Sequence, residues 1–338
     1  MTETEPRRSR AARRAAGTML AVIAERPGPL SAVLRLREVP VPGEPAPGQV
    51  AVRMLLSTVN PSDAVTVSGA YPSRTSFPFV PGFEGIGEVV RVGSGVPAAL
   101  LGQRVLPLGS AGNWQEIKHL EAAWCVPVPD DVSDEAACFA AINPLTASLM
   151  LGRFLVPGVR RVLVTAAASA IAGHLAELLA ARGVLAVGTV RGGGRAVPRP
   201  GHWAAVLDTR TPGWPARAIA ELGGPPQLVL DAVGGPGGGE LSQLLAPGGV
   251  LVLYGLLSGE PLPASCFAGT RGTRTKLFRL RDTLHGTTRE RLPASFGPVF
   301  ARLAAGGLAT AVGERIGLDD LVSALRRRAG AAPPGKLL

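Results

Sequence analysis

Apolar positions along the chain change their spacing at two points. From Met19 to about Val128 they come in short runs, AVIAE, LRLREVPVP, QVAVRMLLSTV and GIGEVVRVGSGV, divided by Gly, Pro and Asn. Short apolar or alternating runs bounded by turn formers predict β-strands. From Ser133 the run SDEAACFAAINPLTASLMLGRF reads as helix, with Ser133 as N-cap and Glu135 in the first turn. The pattern then becomes a strict alternation. RRVLVT, VLAVGTV, QLVLDAVGG and VLVLYG are continuously apolar strands, and HLAELLAARG and ELSQLLAPGG between them read as helices, the first stopping at Gly183. Continuously apolar strands alternating with helices predict a parallel sheet built of βαβ units. The expected fold is α/β, with a β-rich domain and a doubly wound nucleotide-type domain. The expected boundaries are a tail over 1–17, a first domain over 18–135 and 277–338, and a nucleotide domain over 136–276.

Composition narrows this picture. A chain of 338 residues suits two domains, and 46% apolar content with 44 Gly and 31 Pro suits a folded, loop-rich chain. No apolar run approaches the roughly 20 residues that span a bilayer, so no membrane segment is expected. No apolar segment of signal-peptide type follows the charged start, and the five Arg of residues 1–17 mark a solvated basic tail. The net charge of +10 would attract phosphorylated ligands. Arg is spread along the chain and aromatics are 4%, without basic–aromatic interleaving, so nucleic acid is not an expected partner. Cys125, Cys138 and Cys266 are widely spaced and form no disulfide framework or metal clip, which fits a reducing cytoplasm and three small buried side chains.

The turn between Thr165 and His174, AAASAIAG, follows a strand and opens a helix. In a dinucleotide fold such a turn brings the backbone to the pyrophosphate, which the helix N-terminus holds. Ala167, Ser169, Ala170 and Ile171 are the candidates, with Ser169 able to donate to a phosphate. The alternative is a tight packing turn that binds nothing. After the next strand, where NAD sites place a carboxylate on the ribose, the chain has Arg191 and then Arg195. A guanidinium there pairs with a 2′-phosphate, so NADPH is the expected cofactor. Tyr254 and Gly255 end a later strand at the edge where such sheets bind ligands.

This domain order resembles the medium-chain dehydrogenase/reductase superfamily from about residue 19 to the end. The resemblance implies a GroES-like catalytic domain beside a Rossmann-type domain. Where zinc-dependent members carry Cys and His, this chain reads NPSD (Asn60–Asp63) and GFE (Gly82–Glu84), and the four-cysteine lobe is absent. No metal is therefore expected. Zinc-free members also carry Ala/Ser-rich versions of the phosphate turn. Within them, NPSD, SGAYPS (Ser68–Ser73), GNW (Gly112–Trp114) and INPLTASLML (Ile142–Leu151) resemble the mitochondrial and fungal 2-enoyl thioester reductases.

That resemblance implies hydride transfer from NADPH to C3 of an α,β-unsaturated thioester on coenzyme A or acyl carrier protein, and a proton to C2 from Tyr71. It puts Trp114 near the thioester, and Asn60 and Asn143, with Thr146 one turn on, beside the nicotinamide. It also implies a homodimer. Plainer readings stand next to these: Tyr71 as a turn aromatic on Phe77 and Phe79, Trp114 as core, and Asp63 and Glu84 as structural carboxylates. The four His (119, 174, 202, 285) show no ligand spacing. The basic run Gly269–Arg281 is a candidate docking strip for an acidic carrier, or a solvated surface. A quinone or enone reductase and a non-catalytic NADPH-binding protein are the two alternative functions.

Overall fold

The computed structural model describes residues 16–192, 196–328 and 335–338. The expected basic tail, apart from its last two residues, and Arg195 lie outside the described residues.

One compact unit contains residues 16–127, 314–328 and 337–338. β1 (Thr18–Ala24) pairs antiparallel with β2 (Leu34–Pro40), across the short helix α1 (Leu30–Val33). β3 (Gln49–Ser57) leads into α2 (Pro61–Val67), which Pro61 can open because its missing N–H would have no helical partner. β4 (Gly85–Val92), β5 (Arg104–Pro107), β6 (Ile117–Glu121) and β7 (Cys125–Pro127) complete an antiparallel sheet in the order β6-β3-β4-β5-β7. β-branched residues on its inner face, Val50, Val52, Val89 and Val105, are wholly buried with Leu120 and Cys125. A second cluster joins Val22, Leu34, Val67 and Trp114 to Leu321 and Val322 of the helix Leu321–Arg328. This is the expected β-rich unit.

The other unit contains the described residues of 128–313 with 335–336. It opens on α3 (Asp134–Cys138) and α4 (Asn143–Phe154). β8 (Val162–Val164), α5 (Ala170–Ala180), β9 (Ala186–Val190), β10 (Trp203–Asp208), α6 (Trp214–Leu222), β11 (Leu228–Asp231), α7 (Pro236–Leu244), β12 (Val250–Leu253) and β13 (Arg274–Leu277) follow. The six strands are parallel, in the order β10-β9-β8-β11-β12-β13. That is the 3-2-1-4-5-6 order of a dinucleotide-binding sheet, with its switch point between β8 and β11. Leu163, Val187, Val229 and Leu251 are 0% exposed at its centre. Each buried side chain of this size contributes about 1.5–3 kcal/mol before entropy is counted.

Three expectations change. The helical run from Ser133 is two helices, not one. Ser133 caps α3, its hydroxyl accepting from Ala136 N–H at 3.2 Å, but α3 ends at Cys138 and α4 restarts at Asn143. Pro144 explains the break: with no N–H it cannot donate to the carbonyl of Ala140, so it suits only the first turn of a new helix. The second unit also begins earlier, at 128, because α3 and α4 lie within it. It ends later too. Residues 277–313 remain with it, since β13 is the outermost strand of the parallel sheet and α9 (Gly297–Ala304), after α8 (Leu280–Gly286), packs on α3 and α4. Among the described residues no helix is long and apolar enough to cross a membrane.

Candidate active site and cofactor edge

In the first unit, NPSD and GFE are bound to each other. Asn60 is the N-cap of α2, and its backbone N–H donates to Asp63 Oδ2 at 2.7 Å in a capping box. The Asn60 side-chain amide donates to Glu84 Oε2 at 2.8 Å, and Asp63 Oδ1 accepts from Phe83 N–H at 3.2 Å. All three side chains are buried. The plain reading of Asp63 and Glu84 as structural carboxylates describes these bonds. Asn60, expected beside the nicotinamide, has its amide on Glu84.

Trp114 is 2% exposed and lies in the core. Its indole N–H donates to Thr58 O at 3.2 Å, and its ring fills the space beside Gly82, where a Cβ would come within 2.6 Å of Trp114 Cδ1. Gly82 also holds φ +93°, so Trp114 and Gly82 require each other. Tyr71 is different. Phe77 and Phe79 stack edge-on against each other with centroids 5.2 Å apart, while Tyr71 is 45% exposed. Tyr71 is thus exposed in the SGAYPS stretch, as are Ser68 and Ser73.

In the second unit, the carboxyl edge of the sheet is stitched across its switch point. Thr165, just after β8, donates to Asp231 Oδ1 at the end of β11 at 2.7 Å, and Asp231 also accepts from Val233 N–H and Gly234 N–H. The Ala-rich turn then runs into α5. Ala166 holds φ +52°, a backbone region glycine takes more readily. Ala167 is fully buried and its N–H donates to Thr189 O, which joins the turn to β9. Ser169 caps α5, its hydroxyl oxygen accepting from Ala172 N–H at 3.3 Å, which leaves its proton for another acceptor. The amides of Ala170 and Ile171 open α5 and have no acceptor within the helix.

Arg191 follows β9 and is exposed. The strand pairing brings a further group to this point that the linear sequence hid. β10 runs parallel to β9 with Asp208 opposite Val190. Asp208 Oδ1 accepts from Gly192 N–H at 3.1 Å, and Asp208 forms an ion pair with Arg210 at 2.9 Å. The Arg210 guanidinium covers Gly192, within 3.2–3.4 Å of where a Cβ would stand. The hydrogen bonds from Arg210 hold the Asp208 carboxyl well below the usual carboxylate range. A carboxylate is therefore present beside β9 after all, already occupied by Arg210 and a backbone N–H. Its only signal in the sequence is the end of the strand β10 itself.

Asn143 opens α4 with Thr146 one turn on, and the Asn143 Nδ2 is buried without a partner. Tyr254 follows β12, and its buried hydroxyl is likewise without a partner. Burial, then the nearby Asp231 charge, raises the Tyr254 pKa. Gly255 is required for space: a Cβ would meet Ala232 O at 2.6 Å. A helix N-terminus, two unpaired donors and a guanidinium beside the second strand fit a phosphorylated dinucleotide. The basic run Gly269–Arg281 is partly engaged, Arg271 with Gln243 O and Arg279 with Asp282.

Residues 46–130 match the alcohol dehydrogenase GroES-like domain. The mitochondrial enoyl-[acyl-carrier-protein] reductase of Arabidopsis thaliana is 30% identical over 259 residues, covering 72% of this chain and 67% of its own length. The chain belongs to the medium-chain dehydrogenase/reductase superfamily. Within the superfamily it falls in the enoyl reductase/quinone oxidoreductase-like group. The protein of the same description from Dictyostelium discoideum is 32% identical over 224 residues; this superfamily member matches 63% of that relative's length, less than two thirds. The structure of a mycobacterial protein complexed with NADPH superposes with a TM-score of 0.79 at 30% identity, over 94% of this chain and 98% of that one. The GroES-like match covers Asn60, Tyr71, Glu84 and Trp114 together.

Proposed function

We propose that this superfamily member reduces the C=C bond of a 2-enoyl thioester with NADPH, without a metal. The observation that carries the reading is the contrast around Tyr71: Asn60, Asp63 and Glu84 are bonded to one another, while the Tyr71 phenol is exposed. NADPH, when bound, supplies the hydride for C3 of the substrate. The Ala170 and Ile171 amides at the start of α5 hold the pyrophosphate, and Arg191 with Arg210 take the 2′-phosphate. Asp208, already paired, does not compete for the ribose. Asn143 Nδ2 and the Tyr254 hydroxyl supply the remaining donors. Tyr71 gives its proton to C2, which completes the saturated thioester, and recovers a proton from water at its exposed face. Trp114 supports the Gly82 backbone from the core.

A second reading, reduction of a quinone or enone, draws on one observation. Asn60, expected beside the nicotinamide, and Trp114, expected near the thioester, are engaged by Glu84 and Thr58. We also propose a homodimer, on the ground that β13 leaves the outer edge of the parallel sheet open, as sedimentation will test.

The test is NADPH consumption with crotonyl-CoA, with its acyl-carrier-protein ester and with a benzoquinone. Preference for the thioesters is the expected result. Turnover of the quinone alone selects the second reading, and binding without any turnover overturns both.

A further inference from the structure

Lys118 lies on β6 and is 2% exposed. An ammonium has three N–H donors. Lys118 Nζ donates to Ser110 O at 2.9 Å, Asn113 Oδ1 at 2.9 Å and Pro107 O at 3.2 Å. All three acceptors belong to the segment 107–113, which ends against Trp114. The same segment is held from its other side by Pro81 and Gly82: Gly112 N–H and Trp114 N–H donate to Pro81 O, and Asn113 N–H donates to Gly82 O. The bond to Lys118 also fixes the Asn113 amide, leaving its buried Nδ2 without a partner.

We propose that Lys118 is a proton-controlled clamp: its charged form holds the 107–113 segment against the Pro81–Gly82 backbone, and its neutral form releases one of the three acceptors. A neutral amine has two N–H groups and a lone pair, so one carbonyl oxygen would face that lone pair. The inference is separate from the proposed activity, since the clamp works within the β-rich unit whatever the protein reduces.

Burial brings the Lys118 pKa from 10.5 down to about 7, which puts the change near neutrality. The ionisable groups on the strands of this sheet are Arg53 on β3, Glu88 and Arg91 on β4, Arg104 on β5, His119 and Glu121 on β6, and Cys125 on β7, with Glu116 just before β6. Of these, Cys125 acts on Lys118. Burial pushes the Cys125 thiol up to about 12, so it stays neutral across the window. His119 neighbours Lys118 along β6 and so points to the opposite face.

The test is hydrogen exchange of peptides covering 107–114 at about pH 6 and about pH 8.5, each corrected for intrinsic exchange. In the wild type, protection should fall on the order of tenfold or more at the higher pH, the loss of one charge-assisted bond. Lys118→Met should be weakly protected at both. Equal protection of the wild type at the two pH values, or a pH-dependent step that survives in Lys118→Met, overturns the clamp. If Lys118→Met does not fold, side-chain NMR of the wild-type lysines decides: titration of Lys118 near neutrality is expected, and a charge retained beyond about pH 9 overturns it.

Discussion

Acid should weaken the parallel-sheet unit through one imidazole. His174 lies on α5 and is 0% exposed, with Nε2 3.2 Å from Thr310 Oγ1 and Nδ1 unpartnered. Burial, reinforced by Arg199 and Lys336, lowers its pKa from 6.5 to about 3. The unfolded chain therefore takes up this proton near pH 6.5, while the folded chain resists it down to about pH 3. Across that window the unfolded state binds more protons, so stability falls as the pH falls, by up to about 1.4 kcal/mol per unit. Between about pH 6.5 and pH 4.5 the contribution is at most about 3 kcal/mol. The perturbation is His174→Leu, which fills the site without titrating. The assay is urea unfolding at a series of pH values, read by hydrogen exchange in α5 peptides so that this unit alone is followed. Wild type should lose stability more steeply than His174→Leu over the window. Parallel slopes would refute the reasoning, whatever the absolute stability of the variant.

Three further outcomes follow from the geometry. Asp63→Ala leaves the N–H groups of Asn60 and Phe83 without their carboxylate in a buried place, and thermal melts should record a loss of about 2–4 kcal/mol. Gly255→Ala brings a Cβ against Ala232 O and displaces Tyr254, so NADPH affinity measured by fluorescence should fall on the order of tenfold. Arg210→Glu should weaken NADPH by about tenfold or more and leave NADH nearly unchanged, and an equal effect on both cofactors would remove Arg210 from the 2′-phosphate.

Much of the fold was legible because it depends on local spacing. The βαβ alternation from RRVLVT to VLVLYG predicts the parallel sheet, and Ser133 and Gly183 mark real ends: Ser133 caps α3, and Gly183 holds φ +70° just past α5. The Pro144 break was also written in the sequence, but the apolar periodicity on both sides masked it. The return point at 277 was not legible, because it depends on which sheet takes the strand RTKL. The site was legible in its residue types and less so in its bonds. Nothing local tells that Asn60 bonds Glu84, 24 positions away, or that Asp208 comes beside Gly192. Those partners are set by strand register and by the packing of α2. Lys118 was hidden for the same reason: a single lysine in a strand reads as surface until the segment 107–113 folds over it.

In the proposed metal-free enoyl reduction, Tyr71 delivers the proton to C2. The most direct measurement is the rate of NADPH oxidation with crotonyl-CoA for wild type and Tyr71→Phe, with NADPH affinity determined in parallel. A fall in kcat of about a hundredfold or more at unchanged NADPH affinity is predicted. Wild-type kcat in Tyr71→Phe would contradict the claim and leave protonation to solvent.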